Sequence, residues 1–167
     1  MENKPNIKKI RIDERLIHGQ GTLWVKSLGV NLVIVANDKV STDPIQQTLM
    51  KTVIPKEVNM RFWTIDRTNE VIWKAAPNQT IFVVVKDCKD ALRLAEGGFP
   101  MMEELNVGNV HAAEGKEKVS QFIYLGEEDK EALRKLRDKY NIKFDTKTSP
   151  VSNDGVQTIE ALNKAIL

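Results

Sequence analysis

The sequence predicts an α/β protein: a single-domain, doubly wound, mostly parallel sheet with helices on both faces. Three observations lead there. Apolar runs alternate with amphipathic helical patterns along the chain, the order in which strand–helix–strand units build a parallel sheet. Two of the runs, Leu32–Ala36 and Ile81–Val85, are five residues long with no polar interruption, as central strands covered on both faces are. The 167 residues hold no internal repeat, low-complexity tract or dividing linker. Residues 1–167 are therefore expected to form one domain with a substantial core.

Each element has a local reason. Ile7–Ile12 reads as a short strand that gives way to a helix beginning near Gly21. After Leu32–Ala36, Asp43-Pro44 supplies an N-cap and a proline at the first helical position, followed by Ile45, Leu49 and Val53 at four-residue spacing. Val58–Ile65 is expected as a strand and Arg67–Ala76 as a short helix ending before Pro77. Asp87 caps a helix that runs through Glu96 and stops at Gly97-Gly98. Two more strands are expected at Glu104–Val107 and Gln121–Leu125. Glu127–Tyr140 carries Ala132, Leu133, Leu136 and Tyr140 on one face and charge elsewhere. A last strand near Ile142–Asp145 precedes a C-terminal helix bearing Val156, Ile159, Leu162 and Ile166. Trp24, Trp63 and Trp73 are expected as core or interface anchors rather than as a stacking platform for sugar.

Composition excludes several function classes. Lys and Arg number 25 against 23 Asp and Glu, a net charge of +2, which is no footprint for nucleic acid. One cysteine, Cys88, permits no intramolecular disulfide and suits a reducing compartment. The first residues lack an apolar signal core. The longest charge-free stretches, Ser27–Asn37 and Ala75–Val85, have 11 residues, short of the roughly 20 a membrane helix needs. A cytoplasmic protein is expected, one that reaches a membrane only through partners. Two histidines and one cysteine so far apart make a zinc site improbable, and no metal or cofactor is expected.

In a doubly wound sheet, ligand chemistry gathers beyond the carboxyl ends of the strands. That rim should collect His18, Asn37-Asp38, Lys86-Asp87 and Gly108-Asn109. The densest stretch is Arg11-Ile-Asp-Glu-Arg-Leu-Ile-His18-Gly-Gln20. A histidine in a tight strand-to-helix loop brings a nucleophile that is largely neutral near pH 7. Arginines bring donors matched to phosphate oxygens, and helix N-terminal amides favour an anion. The combination points to covalent phosphohistidine chemistry at His18, against the plainer reading of a loop histidine bonded to backbone. Arg15 is the best candidate to bind phosphate or dock a partner. Arg11 either orients the phosphate or is simply solvated or paired with Asp13 or Glu14. Asp13 orients an imidazole nitrogen or an arginine, or else merely forms a turn. Gly19, Gln20, Gly21 and Thr22 supply donors at the helix start, with ordinary capping as the alternative for Thr22. Asn37, Asp38, Gly108 and Asn109 shape the rim or serve only the backbone. His111 is expected as a loop histidine rather than a catalytic partner.

The same decapeptide resembles the active-site signature of the enzyme IIB components of the mannose/sorbose family of bacterial sugar phosphotransferase systems (PTS). The resemblance continues through Val35-Ala-Asn-Asp38, Asp43-Pro44, Arg61-Phe-Trp-Thr64 and Asn106-Val-Gly-Asn109, and the length suits a whole IIB domain. Asn37-Asp38 followed by Arg61-Phe-Trp63 is most similar to the N-acetylgalactosamine branch. The resemblance implies a relay: a phosphorylated IIA protein donates a phosphoryl group to His18, typically at Nδ1. His18 then passes it to a sugar held by the membrane components IIC and IID, which usually emerges as the 6-phosphate. It also implies a homodimer.

Two other readings compete. Histidine phosphatases place Arg-His-Gly after their first strand with a threonine two residues on; here Ile17 precedes His18 and Gly21 holds the later position. A nucleotide-binding module would need a Gly-x-Gly-x-x-Gly or Walker-type motif, and the chain has neither.

Overall fold

The computed structural model describes residues 4–19, 21–152 and 156–167. Its centre is a six-stranded, wholly parallel sheet of β1 (Asn6–Asp13), β2 (Leu32–Ala36), β3 (Asn59–Trp63), β4 (Thr80–Val85), β5 (Glu104–Asn109) and β8 (Lys143–Asp145), in the order β3-β2-β4-β1-β5-β8. Between them run α1 (Gly21–Leu28), α2 (Pro44–Thr52), α3 (Ile65–Val71), α4 (Cys88–Glu96), α5 (Glu127–Tyr140) and α6 (Val156–Ala165). The parallel sheet with helices on both faces is the one the alternating pattern predicts.

The unbroken apolar strands feed two separate cores, because alternate side chains leave opposite faces of a sheet. Val33, Val35, Phe82 and Val84 pack with Trp24 and Val25 of α1 and Met50 of α2. Ile34, Val83, Val85, Ile10 and Ile12 pack on the other face with Ala91 and Leu94 of α4 and Leu133 and Leu136 of α5. Asp43 accepts from the Gln46 amide with Pro44 next in line, and Asp87 accepts from the Asp90 amide; both caps are as the sequence predicts.

Three expectations need correction. The helix placed at Arg67–Ala76 begins two residues earlier, capped by the Thr64 hydroxyl, and tightens into a 3-10 turn at Ile72–Lys74. The strand expected at Gln121–Leu125 is β7 (Ile123–Leu125). It stands outside the main sheet, in an antiparallel pair with β6 (Glu117–Ser120), whose charged sequence carries no strand signal. Two of the three apolar residues in the α2 series face outward: Ile45 and Leu49 are exposed, Val53 packs partly against the Trp24 core, and Met50 is the residue of that helix that is buried. Of the tryptophans, Trp24 is buried, Trp63 packs partly against the core, and Trp73 is exposed.

Candidate active site

β1 is a central strand with a charged face. Ile10 and Ile12 turn to one core, while Lys9, Arg11 and Asp13 turn to the other side, where the ring of Trp24 covers the Lys9 ammonium at 5.0 Å and the Arg11 guanidinium at 5.2 Å. Asp13, fully buried, ends the strand and organises the loop that follows. One carboxylate oxygen accepts the backbone amide of Arg15 at 3.0 Å and its Nε at 3.4 Å; the other accepts Arg11 Nη2 and His18 Nε2, each at 3.0 Å. Burial pushes the carboxyl up. The His18 bond, the Arg11 charge and the Arg15 amide outweigh it and hold the group down, to about 2.

Two apolar residues pin the loop. Leu16 takes a left-handed conformation (φ 58°), with its amide returned to the Asp13 carbonyl at 2.8 Å. Holding leucine there costs about 1–3 kcal/mol. Leu16 and Ile17 are both buried in the Trp24 core, and that burial offsets the strain. His18 is thus presented by a rigid turn, with about a fifth of its side chain exposed. Sequence reasoning did not assign Leu16, Ile17 or Trp24 to the site; their signal was an apolar pair inside an otherwise polar loop.

Arg11 is neither solvated nor paired with Glu14. It is buried, and its guanidinium bonds Asp13, Asn106 and the carbonyls of Lys147 and Thr148. It is linked to His18 through Asp13. Gly108, expected at the rim, lies instead beneath that guanidinium: a Cβ there would stand 2.1 Å from Arg11 Nη1. Arg15 is about two-fifths exposed and lines a cavity of roughly 370 Å³ together with Asn37, Lys39, Lys86 and His111.

The remaining predicted residues separate. Gln20 lies outside the described residues. Gly19 has open space where a side chain would go, and Gly21 opens α1. The Thr22 hydroxyl caps no amide; it donates to the Val53 carbonyl and ties α1 to the end of α2. Asn37 accepts the Val40 amide at 2.9 Å and so shapes the cavity wall. Asp38 turns away to the Ile65 amide and Arg93. The Asn109 carbonyl accepts the Glu14 amide. His111 does reach the cavity, but its backbone amide and Nδ1 both face the Glu14 carboxylate. Among the described residues no cluster of His, Cys, Asp and Glu could hold a metal ion, and no helix is long and apolar enough to cross a membrane.

The depressed Asp13 pKa gives a pH prediction. A carboxylate held below its ordinary 3.8 contributes stability above that value, lost as pH falls through about 2. Between pH 5 and 2 the wild type should lose on the order of 2 kcal/mol from this group. Asp13→Asn should lack that part of the slope in denaturant titrations. Parallel curves for the two proteins would overturn the assignment.

A family model for the PTS system sorbose subfamily IIB component matches residues 7–165. The chain is 45% identical over 134 residues to the N-acetylgalactosamine-specific phosphotransferase enzyme IIB component 2 of Escherichia coli (strain K12), covering 80% of this chain and 85% of that protein. The crystal structure of a PTS-dependent N-acetyl-galactosamine IIB component from Streptococcus pyogenes superposes with a TM-score of 0.87 at 54% identity, over 90% of this chain and 93% of that one. The IIBSor domain of the sorbose permease from Klebsiella pneumoniae gives 0.82 at 27% identity, over 95% and 96%. A rigid loop that presents one histidine beside a buried carboxylate, on a sheet shared with these proteins along nearly its whole length, leaves one conclusion: the chain belongs to the sorbose-subfamily IIB components of the phosphotransferase system, a family of phosphotransferases that work with IIA and membrane IIC and IID partners.

Proposed function

We propose that this protein carries a phosphoryl group on Nδ1 of His18, received from a phosphorylated IIA protein and delivered to N-acetylgalactosamine held by IIC and IID. The observation that carries this reading is the contact between Asp13 and His18 Nε2. Asp13, with its pKa held near 2, is ionised at neutral pH and can only accept. Nε2 must therefore carry a proton, and in the neutral form of the ring the lone pair stands on Nδ1. In the first step the N–P bond of the donor breaks as Nδ1 bonds to phosphorus. In the second a sugar hydroxyl oxygen attacks, its proton passes to solvent, and the electron pair of the His18–P bond returns to Nδ1. Such transfers need alignment and stabilised equatorial oxygens more than covalent help. We assign that task to Arg15 and the first-turn amides of α1.

The surroundings suit macromolecular partners. Leu23 on α1 and Ile45 and Leu49 on α2 are exposed, on two helices tied together by Thr22; exposed large apolar side chains of this kind suit an interaction face. The sugar is inferred from the N-acetylgalactosamine-specific relatives, and a cytoplasmic location and a single domain fit the same reading.

Incubation with a phosphorylated IIA protein tests it. Intact mass should rise by one phosphate, stable to mild alkali and lost in acid, as a phosphoramidate is. Release of inorganic phosphate instead would favour a phosphatase, and label on serine would sink the proposal.

A further inference from the structure

Register across three strands places a second set of residues behind the site. Arg11 on β1 stands opposite Asn106 on β5, and Asn106 stands opposite Asp145 on β8. All three side chains are buried, and they join hand to hand. Arg11 Nη1 donates to Asn106 Oδ1 at 2.5 Å, and Asn106 Nδ2 donates to Asp145 Oδ2 at 2.9 Å. Asp145 is fixed in turn by the Lys9 ammonium at 3.3 Å and the Lys147 amide at 3.0 Å. At the other end Arg11 Nη2 meets the same Asp13 oxygen that receives His18 Nε2.

We propose that Asn106 and Asp145 are positioning residues for the phosphoryl transfer, acting on His18 through Arg11 and Asp13. The inference rests on the reading of His18 as the acceptor.

The chemistry of the row explains its residue types. Arginine can only donate and aspartate can only accept. An asparagine between an arginine and an aspartate turns a donor into an acceptor without adding charge, and the two neighbours fix which way its amide points. Stability alone does not account for such a row, since buried ionic groups can often be replaced by apolar ones at no loss, and Ile10 and Ile12 do that on the opposite face. What a fully bonded row adds is a single orientation for the Arg11 fork. That orientation fixes the Asp13 oxygen, and the oxygen fixes both the proton on Nε2 and the tilt of the ring.

The test uses the full chain with 15N-labelled imidazoles and two variants: Asn106→Leu, which fills the space without bonding, and Asp145→Asn, which keeps the shape but loses the acceptor-only end. In the wild type the His18 nitrogen shifts should report the Nε2–H tautomer. In folded Asn106→Leu they should report a mixture, and phosphotransfer from phospho-IIA should slow roughly tenfold or more. Asp145→Asn should move both readouts the same way by less. Lowered melting temperatures with wild-type tautomer and wild-type rate, measured on the folded protein at 10 °C, would overturn the proposal. The tautomer measurement needs no donor, so it judges the row even if the wild type accepts no phosphate; that second result would strike the acceptor reading itself.

Discussion

His18→Gln should abolish phosphorylation by phospho-IIA and sugar uptake while leaving the protein folded. A nucleophile has no space-filling substitute, whereas among the side-chain contacts of the ring the fold loses the hydrogen bond to Asp13. One such bond is worth about 1 kcal/mol, or a shift of about 2–4 °C in melting temperature for a chain of this size. His111→Gln should still accept phosphate, because His111 is half exposed and engaged with Glu14. Intact mass and a thermal melt on each variant decide the matter. If both fail while folded, or if only His111→Gln fails, the single-nucleophile relay is wrong and a two-histidine, phosphatase-like site returns.

Gly108→Ala should be the most damaging methyl group that can be added near the site. Its Cβ would stand 2.1 Å from Arg11 Nη1, 2.2 Å from Cζ and 2.5 Å from Nη2. The guanidinium cannot yield, because Asp13, Asn106 and two carbonyls hold it inside the protein. Overpacking costs about 1–3 kcal/mol, and breaking a buried ion pair about 3–5 kcal/mol. We expect a loss of about 3 kcal/mol, seen as a fall of about 6–12 °C in melting temperature, with slower phosphotransfer. Gly19→Ala, where nothing lies within 4 Å of the new methyl, is the control and should melt as the wild type does. A Gly108→Ala protein that also melts normally would mean that Arg11 is far less confined than its contacts imply.

The sequence revealed what depends on near neighbours. Caps at Asp43 and Asp87, the glycine stop after Glu96 and the unbroken apolar strands all act within a few residues, and the structure has them where the pattern put them. The His18 loop was legible for the same reason. What depends on register between distant strands was not. Asn106 and Asp145 are 39 residues apart, and no local pattern sets them side by side. Arg11 looked like a solvated strand end because nothing near it shows that Asn106 on β5 and the carbonyls after β8 come beside it. One clue was present: Lys9, Arg11 and Asp13 alternate with Ile10 and Ile12. In a parallel sheet covered on both sides, that alternation means buried charge rather than wet charge. The outward stripe of α2 misled in the opposite direction, since helical spacing shows that apolar residues share a face but not what covers it.

The Arg11 guanidinium takes two of its acceptors from the Lys147 and Thr148 carbonyls, which follow β8, the last of the described strands in chain order. The loop that presents His18 is made within the first two dozen residues, yet its geometry is completed by residues more than 130 positions later. A chain still in synthesis, or one cut short before β8, would display the histidine without the support that holds it in place. If His18 is the acceptor proposed above, its competence should depend on β8 and the segment after it, so copies cut short before them would draw little phosphate from the donor pool.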